Sequence, residues 1–295
     1  MTIMSDKRDF KKEYDVFLQK FPYQTAVVDG IKVRYQYGGK DGAPVLFFFN
    51  GLEMQEMWMP YAERLGKRYR FLIYEYPFHT TNADEQIDFA ARLLKILSIE
   101  KVILIGASDG GLYAQIFAKR HPEFVLAMIL TTTLTVDSDY VRDIKKERFS
   151  TPIFLFLMKL VPAKTEMNLL LKKSTGFLEC ETEEDREYGR GFYETVASDL
   201  GYKKRFIHSF KSVYMLKDYP LFKEKDFEYL RGKIQVLIPE RDIFKKEDQN
   251  RLADLFKKLD AEILNVPGGH VGFIVQSEHY IDLIEKFLKK YFQAE

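Results

Sequence analysis

The hexapeptide Gly106-Ala107-Ser108-Asp109-Gly110-Gly111 follows directly on the apolar run Val102-Ile103-Leu104-Ile105 and constrains the fold of this chain more than any other feature. The apolar run reads as a buried strand, and small residues around Ser108 let the backbone turn sharply into a helix with the hydroxyl pushed outward. Ser108 therefore sits at the apex of a strand-turn-helix, the geometry of a nucleophile elbow. A serine hydroxyl is a weak nucleophile at neutral pH, so the elbow has a chemical use only with a base and an orienting acid beside it.

The rest of the chain supplies a setting for such an elbow. Strands are expected near 24–29 and 31–37, joined as a hairpin through Asp29-Gly30, and then near 44–50, 70–76, 101–107, 125–131, 233–239 and 261–266. Amphipathic helices lie between them, with Ile87, Ala90, Ala91, Leu94 and Leu97 on one stripe and Ile281, Ile284, Leu288 and Tyr291 on another. This alternation predicts an α/β fold with parallel strands buried on both faces. The helix after Ser108 should end at His121-Pro122, because proline disfavours helical geometry in its predecessor.

Two segments fall outside that pattern. Residues 5–20 have helical period, with Phe10, Tyr14, Phe17, Leu18 and Phe21 on one side, and form an N-terminal extension over 1–22. Between Thr132 and Lys233 about a hundred residues carry no strand pattern, too many for a plain loop. We expect a helical insertion over 134–230, lying as a lid on the carboxyl ends of the strands, with 23–133 and 231–295 as the core. Its apolar residues include Ile153, Phe154, Phe156, Leu157 and Leu160, then Met167, Leu169 and Leu170. A packing subdomain with no gating role is the alternative.

Composition narrows the function. With 46% hydrophobic residues among 295, the chain can bury a large core. Its 45 basic and 44 acidic side chains leave a formal charge of +1, so no global field recruits nucleic acid or an acidic membrane. Lys203-Lys204-Arg205 reads as a solvated helix face. The single Cys180 excludes an intramolecular disulfide and fits a reducing, cytoplasmic setting. Met1 to Lys12 is charged where a signal peptide needs an apolar segment. Thr151 to Val161 contains a lysine and falls short of the roughly 20 residues that span a bilayer, so no membrane span is expected. Neither G-x-x-x-x-G-K-[ST] nor G-x-G-x-x-G nor H-E-x-x-H occurs, and there is no Cys/His cluster, so neither a cofactor nor a metal is expected.

Candidates for acid and base come from two later strand ends. The apolar run at 233–239 gives out at Pro239-Glu240-Arg241-Asp242, which places carboxylates on the same rim as Ser108. Asp242 is the preferred acid, with Glu240 and then Asp248 as competitors. The next strand ends in Pro267-Gly268-Gly269-His270, where glycines permit a tight turn that carries a histidine back across the rim. Among the five histidines only His270 has this setting. His121, His208 and His279 read as surface or capping side chains, and His79, after Tyr76-Pro77-Phe78, is kept as a substrate contact.

The order Ser108, Asp242, His270 is the chain order of the α/β-hydrolase triad. On GASDGG, ERD, and GGH followed by QSEHYIDLIEKFL, the sequence resembles the α/β-hydrolase superfamily over roughly 24–133 and 230–293. With YEYP and KVILIGASDGGLYAQIFAK it looks most like the maspardin-like branch. The resemblance implies an α/β-hydrolase fold, a mostly parallel central sheet flanked by helices, with the helical lid inserted after the sixth strand. It also implies a serine hydrolase that cleaves a small carboxylic ester, or an amide or thioester, through an acyl-enzyme on Ser108. His270 would be the base and Asp242 its orienter. The partner is then a small-molecule ester-type substrate, and the oligomeric state is unassigned.

The same resemblance implies an oxyanion hole of two backbone N–H groups, from Asp109 and, by position, from Leu52 in the turn after the strand PVLFFFN. Gly51, Glu53 and His79 would line the substrate site, and Glu53 would oppose the anion if it turned inward. The family often has His-Gly at that turn, and its glycine-rich turn after the fourth strand is replaced here by Tyr76 to Thr80. Asp109 as nucleophile is excluded by register, since it lies one residue into the helix, where its charge meets the positive end of the dipole. Met54, Met57, Trp58 and Met59, with Phe154, Phe156 and Met158, point either to an apolar acyl or alcohol group or to the core. Two readings rival the esterase: carbon-carbon bond hydrolysis, lyase or perhydrolase chemistry on the same fold, and a non-catalytic maspardin-like binding module, against which His270 counts.

Overall fold

The computed structural model describes residues 8–142 and 182–292, together with Phe156, residues 159–162 and Thr165. Eight strands form one sheet: β1 (Gln24–Val28), β2 (Ile31–Gly39), β3 (Val45–Phe49), β4 (Arg70–Tyr74), β5 (Val102–Ala107), β6 (Val125–Thr131), β7 (Ile234–Arg241) and β8 (Glu262–Gly269). Their order is β1-β2-β4-β3-β5-β6-β7-β8. The pairs β1–β2 and β2–β4 are antiparallel and the others parallel. Asp29 (φ 50°) and Gly30 (φ 78°) turn the first hairpin, both in the left-handed region that a two-residue hairpin loop of this type demands.

Every residue of β3 and β5 is buried, which is why these strands read as continuous apolar runs rather than alternating ones. Successive side chains feed two cores on opposite faces. Val45, Phe47, Phe49, Val102 and Leu104 pack with α3 (Ala83–Ile96), α4 (Asp109–Arg120) and α8 (Lys246–Lys257). Leu46, Phe48, Ile103 and Ile105 pack with α1 (Phe10–Lys20), α2 (Met59–Leu65) and α9 (Ser277–Tyr291). On α3 Ile87, Ala90, Ala91 and Leu94 are buried as expected, on the C-terminal helix Ile281, Ile284 and Leu288 are buried but Tyr291 is exposed, and α4 stops at Arg120, just before His121-Pro122.

Helix α1 starts where the Asp9 side chain accepts from the Lys12 amide, and it buries Phe10, Tyr14 and Phe17. The Phe10 ring meets Tyr188 and Phe192 edge-on at centroid distances of 5.3 and 5.2 Å. Both belong to α6 (Glu183–Ser198), so the N-terminal extension packs against the segment inserted after β6. The described parts of that segment are helical: α5 (Asp139–Arg142), α6 and α7 (Tyr202–Met215). Ile153, Phe154, Leu157, Met158, Met167, Leu169, Leu170 and Cys180 lie outside the described residues, whereas Phe156 and Leu160 are exposed.

The chain runs from β3 to β4 on one side and then crosses to β5 on the other, so strand order reverses between β3 and β5. Open parallel sheets bind ligands in the crevice outside such a reversal, at the carboxyl ends of the strands. Ser108 follows β5 and Gly51 follows β3, so the two motifs meet at that crevice. Close backbone approach makes this possible: a Cβ on Gly110 would lie 2.2 Å from the Phe49 carbonyl oxygen, and one on Gly106 would lie 2.7 Å from the Gly111 Cα. Because neither neighbour is a movable side chain, Gly110→Ala is expected to lower the unfolding free energy by about 2 kcal/mol or more, measured by urea denaturation. A variant as stable as the parent would contradict this packing.

Candidate active site

Ser108 adopts φ 55° and ψ −131°, a conformation that costs a non-glycine residue on the order of 1–3 kcal/mol. Its surroundings hold it there. The Ser108 amide donates to the Thr131 carbonyl at 3.3 Å, and the Ser108 carbonyl accepts from the Gly111 amide at 3.0 Å and from the Thr133 hydroxyl at 2.5 Å. The strained turn points the hydroxyl at His270, with Oγ 3.1 Å from Nε2.

His270 Nδ1 lies 2.7 Å from Asp242 Oδ1, so serine, imidazole and carboxylate form one hydrogen-bonded chain. The carboxylate accepts only, which puts the proton on Nδ1 and leaves the Nε2 lone pair facing the serine hydroxyl. Asp242 follows β7, and its side chain is 1% exposed, while His270 follows β8 through Gly268 at φ 91°. The Phe244 ring stands edge-on to the imidazole at 5.0 Å and limits its rotation. The competing acids have other settings. Glu240 is exposed, and Asp248 is buried as the acceptor for the Asp139 and Tyr140 amides at the start of α5.

The turn after β3 rests on the elbow. A Cβ on Gly51 would lie 3.0 Å from both the Ala107 carbonyl oxygen and Ser108 Cβ, so only glycine lets the two loops touch. Leu52 and Glu53 both have positive φ, at 46° and 55°. This aims the Leu52 N–H into the crevice, where it donates to Asp109 Oδ1 at 2.7 Å. The other oxygen of Asp109 accepts from Ser209 on α7 at 2.9 Å. Burial pushes the Asp109 carboxyl up to about 6, against the opposing pull of the Leu52 amide and the Ser209 hydroxyl.

Glu53 turns inward and is 2% exposed. Its partner is His208, whose Nδ1 lies 2.5 Å from Glu53 Oε1. The surface or capping role expected for His208 is therefore wrong: it is buried, and its Nε2 lies 2.8 Å from the Thr80 carbonyl. Nε2 must carry a proton to donate to that carbonyl, so the contact with Glu53 requires one further proton shared between imidazole and carboxyl. Burial pushes the Glu53 carboxyl up to about 7. The same burial disfavours charge on His208, yet the hydrogen bond and charge of Glu53 outweigh it and raise the imidazole above its ordinary value.

These contacts belong to a polar stripe on α7, where Arg205, His208, Ser209 and Ser212 all face inward. Arg205 pairs with the buried Glu56 at 2.9 Å and with Asp199 at 2.6 Å, and Gln86 donates to Ser212 at 3.0 Å. The solvated face expected for Lys203-Lys204-Arg205 is thus corrected at Arg205, which is 3% exposed. A buried ion pair is weak evidence of net stability, but removing one partner strands the other at a cost of about 3–5 kcal/mol. The inserted segment is therefore held against the turn after β3 by charge as well as by apolar contact.

His79 is exposed, with its ring 5.7 Å from Phe89, and takes no part in the hydrogen-bonded chain of Ser108, His270 and Asp242. Of the two readings of Met54, Met57, Trp58 and Met59, the core one holds: all four are buried, with the Trp58 ring tilted against Phe48 at a centroid distance of 4.8 Å. Among the described residues, no group of three or more His, Cys, Asp or Glu side chains is arranged to hold a metal ion. Among the same residues, no helix is long and apolar enough to cross a membrane.

The family model for the α/β-hydrolase fold matches residues 44–276, and the chain belongs to that family. No curated protein matches it in sequence. Solved structures do match in fold. An α/β-hydrolase enzyme from a Medee basin deep-sea metagenome library superimposes with a TM-score of 0.71 at 17% identity, over 90% of this chain and 96% of that one. A structure from a study of carboxylesterases of Nitrososphaera gargenis does so with a TM-score of 0.69 at 18% identity, over 92% and 98%. A meta-cleavage product hydrolase from Pseudomonas fluorescens gives 0.66 at 18% identity, over 90% and 97%. Identities this low establish the fold alone, and nothing in them supports the maspardin-like branch.

Proposed function

We propose that this α/β hydrolase is a serine hydrolase that cleaves a small carboxylic ester through an acyl-enzyme on Ser108. The observation that carries the reading is the unbroken chain from Ser108 Oγ to His270 Nε2 at 3.1 Å and from His270 Nδ1 to Asp242 Oδ1 at 2.7 Å. His270 takes the serine proton as the oxygen attacks the ester carbonyl, passes it to the leaving alcohol, and then activates water for deacylation. Asp242 holds the tautomer and stabilises the imidazolium that forms. The backbone N–H groups of Leu52 and Asp109 receive the negative charge on the attacked oxygen. The segment inserted after β6, with its described helices α5, α6 and α7, acts as a lid on this site. The cytosol, where the single Cys180 stays reduced, is the proposed location.

The test is a pre-steady-state assay with short-chain p-nitrophenyl esters. A burst of about one p-nitrophenolate per protein, followed by slower turnover, is expected of acyl-enzyme chemistry. The absence of any hydrolysis by folded protein across a range of acyl chain lengths would count for the binding-module alternative.

A further inference from the structure

One of the two amides assigned to the oxyanion hole is already bonded to a carboxyl group in this structure. The Leu52 N–H donates to Asp109 Oδ1 at 2.7 Å. Ser209, from the inserted segment, holds the second carboxylate oxygen at 2.9 Å. The group is 7% exposed, so little solvent screens its charge. A second anion cannot form on a substrate at this spot while the first remains, because like charges a few ångströms apart in a buried site repel strongly.

We propose that the Asp109 side chain gates the oxyanion hole: ionised, it occupies the Leu52 amide and blocks the reaction; protonated, it frees that amide and offers its own O–H to the developing oxyanion. The proposal rests on the hydrolase reading above and adds the group that sets its alkaline limit. A neutral carboxyl binds the Leu52 N–H less strongly than a carboxylate does, so protonation releases the donor where charge is about to appear.

The charged and titratable groups around Asp109 come from every element packed on it. His270, on the loop after β8, favours the ionised form only when it carries the proton taken from Ser108. Glu53, on the turn after β3, carries charge of the same sign, tempered by its shared proton with His208 of α7 and by Arg205. Tyr76, after β4, and Tyr113, on α4, are buried phenols held well above their ordinary range and stay neutral. Burial outweighs these and places the Asp109 transition near pH 6, so each pH unit above it empties the protonated form about tenfold.

The experiment follows phosphonylation of Ser108 by an alkyl fluorophosphonate, read by intact mass from pH 5 to 9. In that step the serine oxygen bonds to phosphorus, fluoride leaves, the serine proton passes to His270 Nε2, and the phosphoryl oxygen enters the hole. In the wild type the rate should fall on the alkaline side. Asp109→Asn, which cannot ionise, should lose that fall and react about a hundredfold faster than wild type at pH 8, two units above the transition. Ser209→Ala removes a donor that favours the carboxylate, so its alkaline limb should move to higher pH. This second variant decides the matter if Asp109→Asn does not fold. An Asp109→Asn protein no faster than wild type at pH 8, or an unmoved limb in Ser209→Ala, overturns the gate while leaving the hydrolase standing. Folded wild type that is unlabelled at every pH overturns both.

Discussion

Ser108→Ala is expected to reduce kcat for ester hydrolysis by about a million-fold, and His270→Ala to cost nearly as much. In the proposed mechanism the activator of the hydroxyl is Nε2 of His270, 3.1 Å away. Without the imidazole, the serine must lose its proton to water, and without the serine, the imidazole has nothing to activate in the first step. The two losses should therefore not add. A Ser108→Ala, His270→Ala double variant is expected to match the single variants in steady-state hydrolysis, with a residual rate above water supplied by binding and the backbone amides. Losses that multiplied would mean that the two side chains act in separate steps.

Asp242→Asn should leave the fold intact and lower kcat by about ten-thousand-fold. The carboxylate accepts from His270 Nδ1 at 2.7 Å and so places the lone pair on Nε2. An amide in its place can turn its NH₂ toward Nδ1, which then keeps its lone pair and moves the proton to Nε2, facing the serine the wrong way round. The side chain is 1% exposed, so no alternative carboxylate or bulk water restores the tautomer. Glu240 offers no replacement because it is exposed at the end of β7. A variant within tenfold of wild type would remove Asp242 from the account.

The parts of the site legible in the sequence are those coded by local backbone chemistry. Ser108 was marked by a strand, small neighbours and a following helix, and His270 by two glycines at a strand end. Each signal is contained in fewer than about ten residues, and the sheet then brings them together because parallel strands share one carboxyl rim. What could not be read is the polar seam between α7 and the turn after β3. Arg205, His208 and Ser209 find Glu56, Glu53 and Asp109 across separations of 149, 155 and 100 residues. A helix with a polar stripe looks the same whether that stripe meets water or buried partners, since periodicity reports the face and not what covers it. The only local hint was the pair of acids at Glu53 and Glu56 beside a strand end, which composition alone would leave in solvent.

Asp109 shows the same limit. Its place at the first turn of α4 was read correctly from register, but the destination of its side chain depends on the left-handed turn at Leu52 and Glu53. No glycine announces that turn at either residue, and non-glycine residues enter the left-handed region infrequently.

Rapid-quench mass spectrometry of the protein mixed with p-nitrophenyl acetate tests the central claim most directly. The account predicts a transient acetyl group mapped to Ser108, present in the wild type, absent in Ser108→Ala, and strongly slowed in formation by His270→Ala. Turnover of the ester with the acetyl group on another residue, or with no covalent intermediate and an undiminished Ser108→Ala, would contradict it.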